Sequence, residues 1–225
     1  LILNAAFTYG QLALAPPAQE LEPVENALTY HTPDYPDRIR QVLFTKAEPQ
    51  NEFQFLSMPS FYPETLLTVS LKGDEYFGQA LQPEKQIWDY KGDIVNLKVF
   101  EKEKQLPKPL AERAISLWQS MLLRTKYQRR NLSLDGISYA FLGSAPGYSK
   151  LSAESMNPEP GTKPDILAGI GKLLINYVYT DPDGEKMIEN EMQELISRLE
   201  KMLNENTSNN RLQAIGAKAR LQPEP

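Results

Sequence analysis

The run Thr65-Leu66-Leu67-Thr68-Val69-Ser70-Leu71, the triplet Lys72-Gly73-Asp74 and the run Glu75-Tyr76-Phe77-Gly78-Gln79-Ala80-Leu81 constrain this chain more than any other stretch. Thr65, Thr68 and Val69 in the first run and Tyr76 and Phe77 in the second favour strands, and the glycine between the runs supplies the positive φ that a tight reversal needs, so the spacing predicts a β-hairpin. A lone hairpin is marginal in water; it needs further strands and a cover on one face. The rest of the sequence has to provide both.

The triplet recurs as Lys91-Gly92-Asp93 between Gln86-Ile87-Trp88-Asp89-Tyr90 and a run holding Ile94, Leu97 and Val99, which predicts a second hairpin. Both triplets resemble short Gly-Asp adhesion loops, but turn chemistry alone accounts for them. Upstream, residues 38–45 with Ile39, Val42, Leu43 and Phe44 suit a strand, as do Phe53 to Leu56, and Pro59 and Pro63 then interrupt. These runs form an antiparallel meander, closed by Pro107 and Pro109. Leu110, Ala114, Leu117, Trp118, Met121 and Leu122 follow at helical spacing. Leu132, Leu134, Ile137, Tyr139 and Phe141 alternate around Asp135-Gly136, the two-residue step of a type I′ hairpin. Residues 143–163 read as a long Gly-, Ser- and Pro-rich loop. Pro164 and Asp165 open a helix that runs to about Tyr177, and Asp181-Pro182-Asp183-Gly184 turns into a last helix over 185–203. The fold class is α+β: an antiparallel β meander followed by a helix, a β-hairpin and two C-terminal helices. Residues 1–37 are an apolar segment and Pro-rich arm, 38–203 a single domain, and 204–225 a polar tail.

The sequence also excludes chemistries. It has no cysteine, which removes disulfides, thiolate metal sites and cysteine nucleophiles. His31 is the only histidine, so no multi-histidine metal centre can form and a Ser-His-Asp triad could run only through it. It stands in a Pro-rich stretch, a poor setting for a general base. No cofactor or metal is expected. The formal charge is −5, with 9 basic against 15 acidic residues over 1–105, which argues against general nucleic-acid binding. No apolar run is long enough for a membrane span. Ala13-Leu14-Ala15 fits a signal-peptide cleavage site, whereas Pro16 and the polar residues before it favour an apolar first element, so periplasmic, secreted and cytoplasmic placements all stay open.

Among candidate sites, Arg124, Lys126, Tyr127, Arg129 and Arg130 lie in a stretch free of acids from Arg113 to Leu134, a setting for an anionic ligand or a protein partner. Cations at a helix C-terminus are the competing explanation. The 181–185 run is too short for a calcium loop. The pairs Asp89 with Asp93 and Glu101 with Glu103 carry no mark of acid–base work, and Gly169-x-Gly171 falls inside a helix. Ile188, Met192, Leu195, Leu199 and Met202 make a two-heptad stripe that suits the domain's own core, with homodimerisation through 185–203 as the alternative.

The stretch 106–177 resembles a family of uncharacterised bacterial proteins, through Trp118-x-x-Met121-Leu122-x-x-Thr125-Lys126-Tyr127, Leu134-Asp135-Gly136-x-x-Tyr139-x-Phe141 and Pro158-x-Pro160-Gly161. The family often has an aromatic residue before its Ser-Pro or Asn-Pro step, where this chain has Met156-Asn157-Pro158. The resemblance implies a recurring helix, hairpin, loop and helix unit and no activity. The functional expectation is a non-catalytic binding or interaction module, using the 124–130 segment or the 143–163 loop. The alternative is a carboxylate-dependent hydrolase with the 143–163 loop as its lid.

Overall fold

The structure is a computed structural model that describes residues 20–23, 34–126, 135–145 and 147–219, with Ser149 and 206–219 as backbone only. The fold is α+β. Seven strands, β1 (Glu22–Pro23), β2 (Phe53–Pro59), β3 (Thr65–Lys72), β4 (Glu75–Pro83), β5 (Val99–Leu106), β6 (Ile137–Ala145) and β7 (Tyr148–Met156), form one antiparallel sheet in the order β1-β7-β6-β2-β3-β4-β5. The helices are α1 (Tyr35–Ile39), α2 (Lys108–Leu122), α3 (Lys163–Tyr179) and α4 (Pro182–Ala219). No described helix is long and apolar enough to cross a membrane.

Strand alternation gives the sheet two buried faces. Phe53, Phe55, Leu67, Val69, Tyr139 and Phe141 point to one side and pack with α2, α3 and α4 in the larger core. Leu56, Met58, Leu66, Leu81 and Ala140 point to the other, under Ile39, Val42, Leu43, Ile87 and Leu97. The β3–β4 hairpin stands as its sequence predicts: Lys72 opposes Glu75, and Gly73 at φ 66° is the positive-φ first residue of a II′-type turn. On the helical side Trp118 stacks on Phe53 at 4.3 Å and meets Phe55 and Phe141 at 5.7 and 5.3 Å.

Helix α3 is fixed at both ends. Thr162 caps α3 by accepting from Asp165 N–H, while the Asp165 carboxylate accepts from Gly161 N–H. Lys104 of β5 donates to the Thr180 and Tyr177 carbonyls at the other end, and Lys102 to Tyr179, where helix carbonyls lack partners of their own. Lys104 also pairs with Glu185 at 2.6 Å. The Tyr177 hydroxyl is pushed up to about 12 by burial and by Glu185 and Glu189. Gly169 and Gly171 let α3 approach its neighbours closely: a Cβ on Gly171 would lie 2.6 Å from the Phe55 ring. Of the α4 stripe, Ile188, Met192 and Leu199 are buried in the larger core, and Leu195 and Met202 are partly buried against it.

Arg113 of α2 donates twice to Glu200 of α4, at 2.9 and 2.8 Å, and this bond holds the Glu200 carboxyl below its usual 4.5. A carboxyl lowered on folding adds stability above its unfolded pKa and loses it as pH falls through the folded one. Both groups are more than a third exposed, so the pair contributes under about 1 kcal/mol. The melting temperature of Glu200→Gln should therefore lie slightly below that of the parent at neutral pH and converge with it in acid; a gap that persists below both pKa values would contradict this.

Several expectations are corrected. Residues 38–45 are not a strand: α1 runs into a π-helical turn, Arg40–Phe44, because Ile39, Val42 and Leu43 fall on one helical face. Residues 86–98 form no second hairpin. They cross the second sheet face, and Asp93 caps a short 3-10 turn by accepting from Val95 N–H. The 143–163 segment is not a long loop: small alternating residues make it the end of β6, a turn at Gly147 and all of β7. The hairpin in this region is therefore β6–β7. Both edges of β6 are filled by β2 and β7, so Asp135-Gly136 is the entry to β6 rather than a hairpin turn, held by Asn157 and Ser60. The sheet recruits residues 22–23 from the arm, and α4 continues through 204–219.

The charge pattern of β5 becomes legible at the edge of the sheet. Glu101 and Glu103 lie on one face, accepting from Gln79 and Lys72, while Lys102 and Lys104 lie on the other.

Candidate functional site

One end of the sheet gathers the β2–β3 connection, the start of the 84–98 crossing and the clasp at Asp135-Gly136. Glu64 organises it. Its carboxylate is fully buried and accepts from the Tyr35 hydroxyl at 2.6 Å, Ile87 N–H at 2.8 Å and Trp88 N–H at 3.3 Å. A buried charge demands such donors, and here they come from two segments distant in sequence, α1 and the 84–98 crossing. Burial, then the charge of Glu64 and its hydrogen bond, push the Tyr35 hydroxyl far above its ordinary range, so Tyr35 stays a donor. Gln86 donates to the Pro59 and Ser60 carbonyls at 3.2 and 2.8 Å. Arg38 donates to the Trp88 and Tyr90 carbonyls, and the Tyr35 ring meets Trp88 edge-on at 5.2 Å.

This frame presents aromatic side chains to solvent: Phe61 is 73% exposed, Tyr62 72% and Trp88 45%. The flanking backbone is pinned by Gln86 and Glu64, so these rings sit on a held platform. Met156, at the end of β7 beside the clasp, is also exposed.

The basic segment is only partly described. Arg124 donates to the Leu203 carbonyl at 3.2 Å, which ties α2 to α4, while Lys126 is exposed and its backbone N–H donates to the Leu21 carbonyl. Tyr127, Arg129 and Arg130 lie outside the described residues, as do Leu132, Leu134, His31 and the first 19 residues. The carboxylates considered for acid–base work have structural partners where partners are seen: Asp93 caps its turn, Glu101 accepts from Gln79 and Glu103 pairs with Lys72. Among the described residues no cluster of three or more His, Asp or Glu is placed to hold a metal ion.

The aromatic end escaped sequence reading, although two signals were present. Phe61-Tyr62 stands between Pro59 and Pro63, where a buried strand pair is unexpected, and Glu64 is the only acid between Glu52 and Asp74. A single charge inside a long uncharged stretch marks a residue that must find partners when it is buried. Searches against family models, curated proteins and solved structures give no match to this chain.

Proposed function

We propose that this protein is a non-catalytic binding or interaction module whose contact surface is the aromatic end of the sheet. The observation that supports it is the exposure of Phe61, Tyr62 and Trp88 on a backbone fixed by Glu64 and Gln86. Large aromatic side chains held in place and left in water are the typical anchors of protein interfaces, because they bury much area at little cost in conformational entropy. The exposed Lys126 is a second candidate contact, suited to an anionic partner. The hydrolase reading has lost its lid, since β7 occupies that segment, and the buried Glu64 is surrounded by donors.

The test is photocrosslinking in cell extract from a benzophenone side chain at position 62, with the same probe at Asp74 as control. The expected result is a discrete adduct from position 62 alone, lost in a Phe61→Ser/Trp88→Ser variant that melts as the parent does and retained in Lys126→Glu. An adduct pattern equal to that of the control, or one unchanged by Phe61→Ser/Trp88→Ser, would overturn the assignment of this surface.

A further inference from the structure

The far edge of the sheet holds a separate device. Residues 20–23 reach it from outside the domain and are fixed there by four contacts. Lys163, at the start of α3, is 1% exposed and forms its ion pair with Glu20. Leu21 is fully buried in the larger core, and its carbonyl accepts from Lys126 N–H at 2.9 Å. Glu22 and Pro23 pair with Glu154 and Ala153 of β7. A buried ammonium needs an anion beside it, a buried leucine needs its cavity and a strand edge needs a backbone, so the site reads an extended Glu-Leu-Glu-Pro segment.

This anchor contains one buried apolar side chain and a two-residue ladder, against a core of many large side chains on α2, α3 and β2 to β4. Local opening of so small a unit takes far less free energy than global unfolding. Once open, the edge of β7 and the buried Lys163 require the same segment back, and any copy of the chain carries it. The 24–33 segment joins Pro23 to Asp34, a length of chain that spans at most about 35 Å.

We propose that residues 20–23 exchange between two copies of the chain, each inserting its Glu20-Leu21 into the Lys163 socket and β7 edge of the other. The exchanged contacts are identical to the internal ones, so the balance between the two forms is set by concentration and by the 24–33 segment. This inference is independent of the aromatic end.

Charge-swapped chains test it. Glu20→Lys places two cations in the socket, and Lys163→Glu places two carboxylates there, so each variant alone loses its internal match. When the two are mixed, exchange restores opposite charges at both sockets of a heterodimer. The expected result is that each variant alone stays monomeric by light scattering and the mixture doubles in mass, while the double variant Glu20→Lys/Lys163→Glu behaves as the parent. A mixture that remains monomeric into the millimolar range, or a dimer formed by either single variant alone, overturns the proposal. Should a single variant fail to fold, hydrogen exchange on the parent decides. Exchange of the Glu22 and Glu154 amides, which oppose each other across the β1–β7 ladder, at least tenfold faster than those of β3 supports opening of the anchor, and protection equal to that of β3 overturns it.

Discussion

Replacing Trp118 with alanine is expected to destabilise the protein by roughly 3–5 kcal/mol, the cost of deleting a large buried aromatic side chain. For a chain of this size that corresponds to a fall in melting temperature of roughly 6–20 °C. The indole is fully buried and lies against Phe53, Phe55 and Phe141, which come from β2 and β6, so its loss opens a cavity where α2 meets the sheet. Its Nε1–H has no hydrogen-bond partner among the described residues. An unsatisfied buried donor is a cost to the native state, and Trp118→Phe removes it while keeping a ring in place. That variant should therefore lose much less stability than alanine does. Urea unfolding of the three proteins would measure the series, and a Trp118→Ala variant as stable as the parent would mean that the α2–sheet contact is not the centre of the core.

Glu64→Ala is expected to cost about 3 kcal/mol or more, since each buried donor left without its acceptor costs roughly 1–3 kcal/mol. Three donors are affected: the Tyr35 hydroxyl and the N–H groups of Ile87 and Trp88. The loss should be local in its consequences, because α1 and the 84–98 crossing depend on this carboxylate while α2, α3 and α4 pack on the other face of the sheet. Trp88 offers a direct readout. Released from Glu64, its ring should become more accessible to acrylamide, while the buried Trp118 stays shielded. Thermal unfolding gives the magnitude and fluorescence quenching gives the location; an unchanged melt together with unchanged quenching would show that Glu64 does not hold this end together.

What could be read from the sequence divides along physical lines. The β3–β4 hairpin, α2, α3 and the buried stripe of α4 were legible because each is specified locally, by a turn glycine or by apolar residues at a helical period. Residues 38–45 were misread because Ile39, Val42, Leu43 and Phe44 form a run too short for period 2 and period 3.6 to be told apart. β7 was missed for the opposite reason: of the alternating Leu151, Ala153 and Ser155 only Leu151 is large and apolar, and the segment is a strand through its pairing with β6 and β1 rather than through its own propensity. The aromatic end required Glu64, Tyr35, Ile87 and Trp88 to meet across as many as 53 positions of sequence (35 to 88), and no local pattern encodes such a meeting. The exclusions drawn from the lack of cysteine and the single histidine needed no structure at all.

The alternating charges of β5 decide how the molecule treats its neighbours. Two copies that extended one continuous antiparallel sheet across this edge would be related by an axis normal to the sheet, and each residue would then face one of its own parity. Glu101 and Glu103 would meet only each other, Val99 or Gln105, and Lys102 and Lys104 only each other, Phe100 or Leu106. Every register that pairs the middle of the strand sets like charges side by side, which is unfavourable across a ladder. A crowded solution would thus find the sheet closed to pairing on the β5 side, and edge-to-edge dimers through β5 are expected when the alternation is broken, for instance by exchanging the residues at 101 and 102.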